Sequence, residues 1–275
     1  MVSRSSRQFQ RLTRRAVCAW GDQLNLCKYF ELLSLRDSSS PYYAYAFLLL
    51  IALLTCPQCQ GTPLVSDVFA SALWAVDYVL YVASLQISRL YFHMGTAYRY
   101  TPWQPITVNG TAPFAKPLYY GNLLTASALS GGNKQVQVLL NETSLTAYAV
   151  FDAGSDGSAV DPAQGTAATQ PKLTSMVLLN LNIYNSTFTT PRPYTSFDFT
   201  LPTPGNVSVG SSDIKVHRLT APGVEIASNV TFAGQYVDNS SGVLTGDKVV
   251  EEIEDLGDGR GRVRVGDGEA LLITF

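Results

Sequence analysis

Residues 61–84 read GTPLVSDVFASALWAVDYVLYVAS, and residues 85–132 continue LQISRLYFHMGTAYRYTPWQPITVNGTAPFAKPLYYGNLLTASALSGG. In chain order this stretch predicts a helix, a short strand, an aromatic loop and a second helix. Val68, Ala72, Val76, Val79 and Ala83 return at helical spacing. Ser66 and Asp67 precede them as N-cap and first-turn acid, residue types whose oxygens satisfy free backbone N–H groups. Residues 87–92 are apolar enough for a strand covered on both faces, as in a parallel sheet. His93, Gly95, Tyr98, Arg99, Tyr100 and Trp103 follow as a loop. Residues 117–129 form the second helix, stopped by Gly131 and Gly132, which tolerate left-handed backbone. Helix, strand, loop and helix make one slice of an α/β barrel, a fold that carries its chemistry on loops at the C-terminal ends of its strands.

Beyond Gly132 the pattern turns to β structure. Candidate strands cover residues 135–140, 145–151, 173–184, 197–201, 214–219, 230–236, 248–254 and 262–274. AGSDGS, TPGN, TAPG, DNSSG and LGDGRG punctuate them as turns. Eight short strands so punctuated predict an antiparallel β-sandwich over residues 132–275. Residues 173–185 have the apolar density of a central strand. Glu251, Glu252, Glu254 and Asp255 form the densest acid cluster, which a solvated sheet edge explains as well as a calcium site does.

Upstream, the composition changes. The first 40 residues carry seven Lys or Arg against three acids and show no sustained period. Residues 41–56, PYYAYAFLLLIALLTC, are apolar over a length a signal peptide uses, shorter than the roughly 20 residues that span a bilayer. Three readings compete: a late signal or membrane anchor over residues 42–55, a misassigned piece of coding sequence, and a buried strand. The abrupt change near Gly61 favours the second, and residues 1–60 are expected to be poorly ordered. The four cysteines, Cys18, Cys27, Cys56 and Cys59, all lie here. One C-x-x-C with no second pair and no redox-type βαβ unit around it reads as structural or incidental thiols.

A net charge of -2 and 15% charged residues give no bulk electrostatic case for a nucleic-acid partner. Asn109, Asn141, Asn185, Asn206, Asn229 and Asn239 each open an N-x-[ST] triplet. Six of them in the last 170 residues, all in predicted loops or strand ends, predict passage through the secretory pathway and a secreted glycoprotein. Histidines, cysteines and acids form no metal constellation, and no G-x-G-x-x-G follows a strand, so the expectation is no metal and no cofactor.

Several of these segments resemble the carboxyl half of fungal β-glucuronidases of glycoside hydrolase family 79, in the clan that contains heparanase. They are the stretch from Gly61 to Pro105, KPLYYGNLLTASALSGG, LNLNIYNST, TPRPYTS and VHRLTAPG. The resemblance is collinear over about residues 59–275. It implies an α+β architecture: the last helix–strand–helix of a (β/α)8 barrel over residues 61–131, then the family's antiparallel β-sandwich over 132–275. It also implies a β-glucuronide-type carbohydrate as ligand, with His93, Tyr98, Arg99 and Tyr100 lining the subsite that holds the glucuronate carboxylate. The chemistry suits this, since an Arg fork and Tyr hydroxyls grip a carboxylate well. Trp103 and Tyr119 are expected to pack the loop and helix against the sandwich.

Retaining glycosidases need two carboxyl groups about 5–5.5 Å apart. The resemblance puts the family's nucleophile position near Leu53 or Leu54, where no carboxylate stands, and finds no counterpart for the acid/base glutamate. No catalytic residue is therefore expected, and the chain is predicted to be inactive alone. The alternative is a non-catalytic secreted module whose sandwich binds a glycan or a protein. Folding and sugar binding by the isolated sandwich would discriminate the two.

Overall fold

The computed structural model describes residues 61, 63–92, 94–95, 97–152, 171–202 and 213–275. The segment 42–55, the four cysteines, His93 and Asn206 lie outside the described residues. Two helices, α1 (Phe69–Ser84) and α2 (Pro117–Ala128), flank a two-stranded ribbon of β1 (Trp103–Gln104) and β2 (Phe114–Ala115). Then come β3 (Lys134–Asn141), β4 (Leu145–Asp152), β5 (Lys172–Asn180), β6 (Tyr194–Thr200) and β7 (Lys215–Thr220). Three short strands follow, β8 (Thr231–Phe232), β9 (Tyr236–Val237) and β10 (Leu244–Thr245). The chain closes with β11 (Glu254–Gly257), β12 (Arg260–Gly266) and β13 (Glu269–Thr274).

A six-stranded antiparallel sheet in the order β3-β4-β5-β13-β7-β8 is the backbone of the fold. Both of its faces are covered. On one face α1 places Phe69, Leu73, Val76 and Leu80, and α2 places Tyr120, Leu124 and Ala128, against Tyr148, Val150, Val177, Leu179 and Leu272. On the other, the three-stranded sheet β11-β12-β6 contributes Val263 and Val265 against Met176, Leu178, Leu271 and Ile273. Alternate residues of β5 and β13 thus enter opposite cores. This is why SMVLLN and EALLIT are continuous apolar runs rather than alternating ones. Each large side chain so buried stabilises the fold by about 1.5–3 kcal/mol. The two helices meet backbone to backbone: a Cβ on Gly121 would stand 2.4 Å from the Ala72 carbonyl oxygen.

The second helix matches its sequence signals, with Pro117 in the first turn and Gly131 and Gly132 at φ 91° and 70° beyond its end. The first helix begins later than expected, at Phe69, and its N-cap Val68 makes no side-chain capping bond. Asp67 instead accepts the Leu64 N–H at 2.7 Å. The free N–H groups of the helix are taken by tertiary acceptors: Phe69 N–H donates to Ile226 O and Ala70 N–H to Val224 O, both at 2.8 Å.

Residues 87–92 do not form the expected strand. Their apolar character serves contacts such as Phe92 packing edge-on against Trp74, at 6.4 Å between ring centres. None of the described strands pairs with them. The expected strand 173–184 stops at Asn180, where Asn182 N–H donates to the Asn180 side chain and turns the chain. Residues 230–236 are not one strand but two short ones separated by a turn at Ala233 (φ 51°) and Gly234 (φ 77°). Residues 248–254 hold a single bridge, Glu251 with Val216, in place of a strand. Residues 262–274 divide into β12 and β13 about the turn at Asp267-Gly268. Among the described residues no helix is long and apolar enough to cross a membrane.

Candidate functional site

The loop between α1 and β1 brings Tyr98, Arg99 and Tyr100 together, all half-buried. The rings of Tyr98 and Tyr100 lie 5.6 Å apart, tilted by 44°. Tyr98 rests directly on Gly95, where an added Cβ would come 1.9 Å from the ring. Arg99 Nη1 donates to Gly61 O at 3.2 Å. Gly61 stands at φ 83°, and a Cβ there would also press on Arg99 Cβ at 3.1 Å, so this contact requires glycine twice over.

Sequence reasoning missed the residue that holds this loop. Lys116 is 6% exposed, and its Nζ donates to Tyr98 O and, at 3.1 Å, to Thr101 Oγ1. Thr101 Oγ1 in turn donates to Tyr98 O at 2.9 Å, and Lys116 N–H donates to Pro102 O at 2.9 Å. Lys116 is also the N-cap residue of α2, at the positive end of the helix. Burial pulls its ammonium below the usual lysine range, the Asp67 carboxylate pushes it back up, and the Arg99 charge pulls it down again. Two cations and two phenols thus share one loop with one influencing carboxylate, an arrangement that favours an anion. The available signal was a lone Lys directly before a helix-starting Pro in an otherwise uncharged run.

Tyr119 packs on the helix-side core as expected, whereas Trp103 is 49% exposed on β1. Trp103 differs from expectation because the β1–β2 ribbon is only two residues per strand and covers little of the ring.

At one end of the interior strands β13 and β7 a second charged cluster is fully answered. Glu269 accepts from Arg192 Nη1 at 2.6 Å and Thr220 Oγ1 at 2.7 Å, and pairs with Arg218. Arg218 also holds Glu251 through Nε and Nη2, at 2.8 and 2.7 Å. Arg192 Nη2 reaches Ala221 O at 2.6 Å, and its guanidinium stacks 4.6 Å from the centre of the Tyr184 ring. The segments LNLNIYNST, TPRPYTS and VHRLTAPG supply Tyr184, Arg192, Arg218, Thr220 and Ala221 to this cluster. Three acids of the cluster at 251–255 are likewise spent on cations, Glu251 on Arg218, Glu254 on Arg264 at 3.1 Å and Glu252 on Lys215 at 3.9 Å, while Asp255 accepts the Gly257 N–H at 2.8 Å. The three glutamates line a depression of about 320 Å³ with Val216 and Leu271. Of the sequon asparagines, Asn109, Asn229 and Asn239 are exposed, while Asn141 and Asn185 are half-buried.

Residues 165–272 match the family model described as the glycosyl hydrolase family 79 C-terminal beta domain. Over those residues the β part of the chain is similar to the C-terminal domain of that family. It is 34% identical over 189 residues to a β-glucuronidase of Neurospora crassa, covering 64% of this chain and 33% of the relative. A β-glucuronidase of Aspergillus niger is 31% identical over 219 residues, covering 71% of this chain and 37% of the relative. The chain thus spans about a third of the length of the curated relatives it matches. Among solved structures, a 4-O-α-L-rhamnosyl-β-D-glucuronidase from Fusarium oxysporum 12S, in complex with Rha-GlcA, aligns with a TM-score of 0.59 at 25% identity. That alignment covers 79% of this chain and 41% of the other.

Proposed function

We propose that this chain is the carboxyl-terminal portion of a β-glucuronidase-type glycoside hydrolase, catalytically silent by itself. On this reading residues 61–131 are the end of a barrel, and Tyr98, Arg99 and Tyr100, with His93, form the grip for the carboxylate of an acidic sugar. The supporting observation is the excess of positive charge in the loop, Arg99 and Lys116 against Asp67, beside two phenols. The fungal relatives are named for action on glucuronides, which is the acidic sugar this chemistry suits. Silence rests on the glycosidase requirement for two carboxyl groups about 5–5.5 Å apart. The nucleophile position suggested by the resemblance falls at Leu53 or Leu54. The exposed sequons at Asn109, Asn229 and Asn239 support a secreted glycoprotein.

The test is a titration of the full chain with glucuronate and with glucose, alongside an assay on an aryl β-glucuronide. The expected result is binding of glucuronate in preference to glucose, a loss of roughly tenfold or more in that binding for Arg99→Ala, and no turnover. Turnover above the buffer rate would overturn the silence, and equal binding of the two sugars would overturn the grip.

A further inference from the structure

We propose that Lys116 is the positioning residue that gives loop 98–101 its selectivity for an acidic sugar, by clamping the loop backbone and placing a second positive charge beside Arg99. This deepens the proposed carboxylate grip and rests on it. Lys116 is almost wholly buried, yet its ammonium donates to neutral acceptors, Tyr98 O and Thr101 Oγ1, as its hydrogen-bond partners. A buried ammonium is normally answered by a carboxylate, as the guanidinium groups of Arg192 and Arg218 are answered by Glu269. The helix terminus adds to the imbalance, because a cation at the N-cap of α2 faces the positive end of the helix. Burial, the helix terminus and the Arg99 charge weigh against the ammonium and the Asp67 carboxylate alone weighs for it among the described residues, which describes a group retained for what it does to its neighbours.

The geometry says what that is. Tyr98 O receives bonds from Thr101 N–H, Thr101 Oγ1 and Lys116 Nζ, so the turn 98–101 closes on itself and the ammonium locks it from below. Arg99 and Tyr100 sit in the middle of that turn. Arg99 ties that turn to Gly61 O. Without Lys116 the turn loses the ammonium's bonds to Tyr98 O and Thr101 Oγ1, and the Arg99 fork loses its fixed aim. The cation–π approach of Lys116 to Phe114, 5.8 Å from the ring centre, further fixes the ammonium rather than neutralising it.

Two readouts on the full chain test this. The first is trypsin cleavage of the Arg99–Tyr100 bond, mapped by mass spectrometry and scaled to cleavage elsewhere in the same sample. The second is the ratio of affinities for glucuronate and glucose. In Lys116→Met, cleavage at Arg99 should quicken, and the affinity ratio should fall by roughly tenfold, the scale of one charge-assisted contact. Thr101→Val, which removes the hydroxyl and keeps every charge, should quicken the same cleavage with a smaller fall in the ratio. A wild-type preference for glucuronate that Lys116→Met retains would overturn the inference and leave the proposed function standing. Unchanged cleavage at Arg99 in both variants would also overturn it. A wild-type chain with no preference would remove the grip itself and this inference with it.

Discussion

The two buried cationic clusters of this protein are built on opposite rules. Around Glu269, Arg192 and Arg218 meet carboxylates, a hydroxyl and main-chain carbonyls until each charge is matched. Around Lys116, a cation just as deeply placed meets a carbonyl and a hydroxyl, with Arg99 adding charge of the same sign. A matched cluster holds the ends of the interior strands β13 and β7 together. The other, opposed among the described residues by the Asp67 carboxylate alone, is held together by the rest of the fold, and on the proposed reading its charge serves a ligand.

The sharpest way to break this comparison is Glu269→Gln. Removing one partner of a buried charge network strands the others, so the loss of stability should be about 3–5 kcal/mol, read as a lower urea midpoint at pH 7. Lys116→Met should lose far less, under about 1.5 kcal/mol, because methionine keeps the length and no carboxylate is left unpaired. Comparable losses in the two variants would erase the distinction.

Titration gives a second test, with opposite signs at two carboxyls. Burial would raise the Glu269 carboxyl, but the Arg218 charge, the Thr220 hydroxyl and the Arg192 charge outweigh it and hold the group below the ordinary 4.5. Its contribution is present above that value and is lost as pH falls through the lower folded value. Wild type should therefore lose stability on acidification more steeply than Glu269→Gln.

Asp77 is the reverse case, a carboxylate lying against the Tyr148 hydroxyl at 2.6 Å. Burial raises it above the ordinary 3.8, against the lowering effect of hydrogen bonds from Tyr148 and Thr146. Stability from that site is present at low pH and lost as pH rises through the raised folded value. Asp77→Asn keeps an acceptor for Tyr148, so it should raise the melting temperature at pH 7 by roughly 2–4 °C and leave it unchanged near pH 3. The smallest effect belongs to the solvent-accessible pair of Asp198 and Arg262, at 2.6 Å. Asp198→Asn should leave the melting temperature unmoved, since solvent screens the pair.

How much of this was legible follows from where each signal is local. Pro117, Gly131 and Gly132 act within one turn of backbone, and α2 appears where they put it. The central strands announce themselves because burial on two faces erases alternation, and MVLLN shows that directly. The hairpin between β12 and β13 was hidden because GDG lies between two apolar runs that read as one strand. Residues 87–92 have the composition of a strand but no partner among the described strands, and pairing is not a property of a segment alone. In the site, Tyr98, Arg99 and Tyr100 were legible as neighbours in sequence. Lys116 was not, because its bonds to Tyr98 and Thr101 cross 18 and 15 residues. Ser66 and Asp67 were read as N-cap and first-turn acid because their types and place suited those roles, while the true acceptors lie in another part of the chain.

That displaced cap carries a consequence for the order of assembly. Phe69 N–H donates to Ile226 O, a separation of 157 residues, and Ala70 N–H to Val224 O, a separation of 154. During synthesis α1 leaves the ribosome with its first turn open, and it stays so until the segment after β7 has been made and docked. Closing a loop of that length is a slow, non-local step. The helix that carries the candidate site's approach is thereby finished late, and a chain truncated before Val224 leaves that turn without its acceptors.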